Sequence, residues 1–183
     1  MTYAVGLAPD RIARVRALVE RGIGLTVLID TLEQAQALVD AAPTGNMPGV
    51  LIEIDCDGHR GGLVPGDPQL LAIAGVLRSG GVELRGVLTH AGESYNCRNG
   101  EGIPEAAEAE RAAAVGAAEL LRRHGHAAPV VSVGSTPTAH FARDLRGVTE
   151  VRAGVFMFFD LVMSGIGVCT PDHIALSVLA TVI

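Results

Sequence analysis

Short runs of unbroken apolar residues alternate with helix-patterned stretches from one end of this chain to the other, and few folds accept that order. Tyr3 to Leu7 and Leu25 to Ile29 read as strands, the second apolar except for Thr26. Val50 to Ile54, Val82 to Leu88 and Pro129 to Val133 continue the series; Val151 to Val162 contains a sixth strand and Ala175 to Ile183 reads as a further one. Between the first two runs, Ile12, Val15, Leu18 and Val19 share one face of a helix opened by Pro9 and Asp10 and stopped at Gly22. Thr31 and Gln34 have the spacing of a capping box for a helix ending near Ala42. Another helix spans Gln69 to Leu77, and behind Pro104, which a first helical turn accepts, an alanine-rich helix runs to about His124.

Strands that do not alternate polar with apolar are covered on both faces, which implies a parallel sheet beneath helices. Either an open doubly wound sheet or a (β/α)8 barrel fits, and both gather function at the carboxyl ends of strands. No G-x-G-x-x-G follows the first strand, which argues against dinucleotide binding.

At 183 residues, 49% apolar and 19% charged, the chain has material for one globular domain or most of one. A net charge of −6 without any basic patch argues against nucleic acid as a partner. Cys56, Cys97 and Cys169 form no CxxC and are odd in number, as expected of reduced thiols in a cytoplasmic protein. No run approaches the ~20 apolar residues of a spanning helix. The chain starts on a strand and stops inside the apolar Thr181-Val182-Ile183, so we expect a piece of a longer protein.

Polar residues concentrate after the strands. Asp55, His59 and Arg60 occur in IEIDCDGHRGGL, His90, Glu93 and Tyr95 in GVLTHAGESYNC, then come GSTPT (134 to 138) and EVRAGVFMFFD (150 to 160). GSTPT offers backbone N–H groups and hydroxyls at a helix start, suited either to an anion or to a well-capped turn. Arg60 could aim its fork at an acceptor or be a surface arginine, and His90 could serve a site or the core. His124 and His126 read as a solvated helix end, and Glu105, Glu108 and Glu110 as the exposed face of the alanine-rich helix.

Taken together, these segments resemble the alanine racemase-type (fold type III) pyridoxal-phosphate enzymes, in the branch holding D-threonine aldolase and D-serine dehydratase. The likeness runs from about Tyr3 to Ile183 and includes VCTPDHIALSVLATVI, similar to the passage into that branch's β-rich second domain. It implies a partial (β/α)8 barrel of about six strand–helix units over residues 1–174, with 175–183 beginning the second domain. It further implies that Arg60 bonds the phenolic oxygen of pyridoxal 5′-phosphate, that His90 lies against its ring and that Tyr95 stands near substrate or ring. Gly134, Ser135 and Thr136, with the N–H groups of Gly154 and Val155, would hold the phosphate, and Arg152 would lie beneath the pyridine nitrogen. The substrate implied is a small D-amino acid, cleaved by retro-aldol chemistry or dehydrated, with zinc or another divalent metal only in the second domain.

All 14 basic residues are arginine, so the lysine that anchors this cofactor in the family is absent from these residues. By itself the chain is therefore expected to be inactive as a lyase and to hold the cofactor non-covalently at best; the alternatives are a module that binds or carries the cofactor without covalent attachment, or a non-functional truncated gene product, which would self-associate through uncovered barrel edges.

Overall fold

The computed structural model describes residues 2–3, 7–42, 46–98 and 100–181. Six strands, β1 (Thr2–Tyr3), β2 (Thr26–Ile29), β3 (Gly49–Ile54), β4 (Leu84–Thr89), β5 (Val130–Val133) and β6 (Glu150–Val151), form one sheet. Each is parallel to its neighbour, in the order β1-β2-β3-β4-β5-β6. A doubly wound sheet reverses its strand order part-way so that helices cover both faces. This order never reverses, and right-handed crossovers then stack every helix on one side. The chain is an arc of an α/β barrel.

The helices are α1 (Ile12–Glu20), α2 (Leu32–Ala41), α3 (Gln69–Ser79), α4 (Ile103–Arg123), α5 (Thr136–Phe141) and α6 (Leu161–Gly165). Thr31 and Gln34 make the expected reciprocal cap on α2. Successive helices pack on one another, and against them lie Val27, Ile29, Val50, Ile52, Ile54, Val87, Val131 and Val133. Leu28, Leu51, Leu88 and Val130 form a separate cluster on the sheet's other face, as the two-residue period of a strand requires. Continuing that alternation toward the carboxyl ends brings Asp30, Glu53, His90, Ser132 and Arg152 onto the inner side of the arc. On α4 the buried stripe is mostly alanine (Ala107, Ala113, Ala114, Ala117, Ala118), whose small side chains let this helix of about 31 Å lie close to the sheet. Among the described residues no helix is long and apolar enough to cross a membrane.

Three expectations change. The strand expected within Val151 to Val162 is only Glu150–Val151; beyond it come a 3-10 turn at Val155–Met157 and α6. Residues 175–181 form no strand: among the described residues nothing pairs with them beyond the Ala175 N–H that donates to the Phe158 carbonyl at 2.8 Å; Val182 and Ile183 lie outside the described residues. In the first run the strand is Thr2–Tyr3, Leu7 lies outside it, and Ala4 to Gly6 fall outside the described residues.

Candidate active site

At the end of β4 the Thr89 hydroxyl donates to the Ile54 carbonyl at 2.6 Å, and the next residue, His90, turns inward. Its Nδ1 lies 2.8 Å from the Gly134 carbonyl oxygen. A carbonyl only accepts, so Nδ1 carries the proton and Nε2 the lone pair. Nε2 is buried without a hydrogen-bond partner among the described residues. Burial, with the positive charge of Arg60 added, lowers the His90 pKa and keeps the ring neutral. The Tyr95 ring stacks on it, centroids 6.1 Å apart and planes at 24°. Burial raises the Tyr95 pKa, while the Thr136 N–H turned toward its hydroxyl works the other way.

GSTPT closes into the turn between β5 and α5. Ser135 caps α5, accepting from the Thr138 N–H at 3.2 Å, and Thr138 Oγ1 accepts from the Ser135 N–H at 3.1 Å. The Ser94 hydroxyl donates to the Ala91 carbonyl at 2.7 Å, which leaves its oxygen to accept from Ser135, 3.0 Å away. Both hydroxyls are therefore spent on fixing the loop. Gly134 adopts φ +136, and a Cβ there would sit 2.0 Å from the Arg152 carbonyl oxygen. Only glycine lets β6 approach so closely. The Thr136 hydroxyl accepts from the Phe156 N–H at 3.3 Å, which lays the turn after β6 beside this loop. There the N–H groups of Gly154 and Val155 donate to no acceptor among the described residues.

Arg152 lies half-buried beneath these loops. Its Nε donates to the Ser132 hydroxyl at 2.8 Å and its Nη2 to the Thr89 carbonyl, with Glu150 at 4.0 Å. Glu53 shares the inner face, its pKa raised first by burial and then by Asp30, and lowered by Arg60 and Arg152. Arg60 itself is exposed, on a loop that Asp55 and Asp30 shape by accepting from Gly58 N–H at 2.7 Å and Gly62 N–H at 3.1 Å. Its charge bears on Glu53, His90 and Tyr95. His59, one residue before it, meets Glu93 at 2.6 Å, and the Glu93 N–H donates to Asp57 at 2.8 Å, joining the loops after β3 and β4.

His90, Tyr95, Gly134, Ser135, Thr136 and Arg152 thus converge at the carboxyl ends of β4 to β6, with Gly154 and Val155 at the rim, while Arg60 stands exposed on the loop after β3. His124 and His126 lie at the far end of α4, and no group of three metal-ligating side chains occurs among the described residues. One residue read as exposed is not. Glu110 is 2% exposed, while Glu105 and Glu108 do face solvent. The available signal was its place three residues from both Ala107 and Ala113, on the buried stripe.

The family described as "Alanine racemase, N-terminal domain" matches residues 6–162. The chain belongs to this family. Within it, the chain is 54% identical over 183 residues to D-threo-3-hydroxyaspartate dehydratase of Delftia sp. (strain HT23), covering 99% of this chain and 48% of that protein. The solved structure of that dehydratase superimposes with a TM-score of 0.93 at 51% identity, over 95% of this chain and 46% of that one. A variant of it has also been solved in a metal-free form. D-serine dehydratase of Dictyostelium discoideum is 27% identical over 99% of this chain and 49% of its own length. D-threonine aldolase of Arthrobacter sp is 29% identical over 82% of this chain and 37% of its own length. The chain spans about half the length of the first two relatives.

The hollow fits a phosphorylated pyridine ring on its own chemistry. A neutral imidazole with a buried, unpartnered nitrogen offers a flat face, Arg152 supplies a half-buried cation beside it, the charge of Arg60 bears on the same imidazole, and main-chain N–H groups at the rim suit an anion.

Proposed function

We propose that residues 1–183 form the pyridoxal phosphate-binding barrel of a cytoplasmic lyase that removes water from a small D-3-hydroxy amino acid. The buried, unpartnered Nε2 of His90, beside Tyr95 and the Gly134–Thr136 loop, carries this reading. The 54% identity to a D-threo-3-hydroxyaspartate dehydratase favours dehydration over retro-aldol cleavage. When bound, pyridoxal phosphate withdraws electrons from the bonds at the α-carbon of an amino acid.

The chain's own residues bind and orient. Arg60 would bond the phenolic oxygen of the cofactor and favour its ionised form. His90 supports the ring by its flat face, and Tyr95, stacked on His90, borders the place of the substrate. Gly134–Thr136 and the N–H groups of Gly154 and Val155 take the phosphate; the Ser135 side chain contributes by holding the loop. Arg152, held by Ser132 and the Thr89 carbonyl, would lie beneath the pyridine nitrogen and disfavour its protonation, since a second positive charge alongside is repelled. Residues 1–183 contain no lysine, so by themselves they would hold the cofactor non-covalently.

The test supplies the purified protein with pyridoxal phosphate, a divalent metal and either D-threo-3-hydroxyaspartate, D-serine or D-threonine. Ammonia release from one of the first two is expected. Glycine and aldehyde from D-threonine, without ammonia from the others, would replace dehydration by aldol cleavage. For residues 1–183 alone, saturable binding of the free aldehyde is expected, with no borohydride-fixed label and no turnover. Binding unchanged in Arg60→Ala and His90→Ala overturns the site.

A further inference from the structure

A carboxyl buried without a cation costs stability, and an alanine would complete the helix stripe on which Glu110 lies. No ion pair within 4.0 Å involves Glu110 among the described residues. Its Oε1 instead accepts from two main-chain N–H groups, Ala91 at 2.9 Å and Gly134 at 3.0 Å. These belong to different loops, one after β4 and one after β5. The same Gly134 gives its carbonyl to His90 Nδ1. Glu110 thus grips the peptide that follows His90 and the amide of the residue His90 bonds, and Gly134 is held from both sides.

Resting on the reading of this hollow as a pyridoxal phosphate site, we infer that Glu110 is a positioning residue that locks His90 and the phosphate loop into one rigid unit. It touches neither cofactor nor substrate. Its carboxyl sets where the Gly134–Thr136 amides point relative to the face of the His90 ring. Burial raises its pKa, while the Thr138 hydroxyl, the two N–H groups and the more distant charge of Arg152 oppose that rise.

The test is the preference of the purified protein for pyridoxal phosphate over pyridoxal, measured as a ratio of dissociation constants. In Glu110→Gln an amide replaces the carboxylate at nearly the same size. The ratio should fall by about tenfold, as one misaligned charge-assisted hydrogen bond implies. A variant that melts earlier yet keeps the wild-type ratio overturns the inference, because Glu110 would then be structural only. A wild-type protein with no preference for the phosphorylated ligand overturns the site reading along with it. Should Glu110→Gln fail to fold, Glu110→Asp, which keeps the charge but shortens the reach, is held to the same ratio.

Discussion

On folding, His90 loses its shell of water and gains one hydrogen bond, to the Gly134 carbonyl, while its Nε2 gains none. Its folded pKa is lowered, by burial first and by Arg60 second, from an unfolded value near ~6.5. Between the two values the unfolded chain holds more protons, so stability rises with pH there and is lost as pH falls through the window. Glu53 and Glu110, both raised by burial, contribute the opposite slope from about 4.3 upward. The difference between wild type and His90→Gln therefore isolates the histidine. That difference in denaturation midpoint should grow from pH 5 toward pH 7 and then level off; a constant difference would mean His90 does not titrate differently on folding. His90, Tyr95 and Arg152 were picked out in sequence by the resemblance of their segments to the family; on residue type alone His90 stayed open between a site and the core. Glu110 was not picked out. The groups that bury its carboxyl, Ala91 and Gly134, lie 19 and 24 residues away in sequence.

Helices and strands differ in how far local sequence specifies them. The α2 cap was readable because Thr31 and Gln34 satisfy each other three residues apart. Strands need neighbours: residues 175–181 carry the apolar letters of a strand but no paired edge, and β6 has only Ser132 and Val133 to pair with. The two caps offer a comparison. Thr31→Ala removes a cap alone and should cost about 1 kcal/mol. Ser135→Ala also takes the donor from the buried Ser94 hydroxyl and should cost about 2 kcal/mol. Gly134→Ala meets both a positive φ and the Arg152 carbonyl, and should cost about 3 kcal/mol or more. Chemical denaturation of the three variants gives the ranking. A Gly134→Ala protein as stable as Thr31→Ala would mean β6 can shift away from β5.

For the whole molecule, periodicity indicated a parallel α/β sheet but could not separate an arc of barrel from a doubly wound sheet; family resemblance made that choice, and the unreversed strand order agrees with it. What the arc leaves uncovered has consequences. Met157 is 65% exposed, Leu161 77% and Val178 88%, with Phe156, Phe158, Val162, Leu176 and Leu179 also facing solvent. Phe156, Met157, Phe158, Leu161 and Val162 follow β6 directly, β6 is an edge of the sheet among the described residues, and monomers rarely combine an open edge with that much exposed apolar surface. Residues 1–183 on their own should therefore self-associate with rising concentration, and because the contact is apolar, added salt should not reverse it. Replacing Phe158, Leu161 and Val178 together by serine should shift sedimentation toward the monomer while leaving the stability of the β2–β5 core unchanged. A wild-type chain that stays monomeric at all concentrations would mean that residues 150–181 pack onto the arc more closely than their exposure indicates.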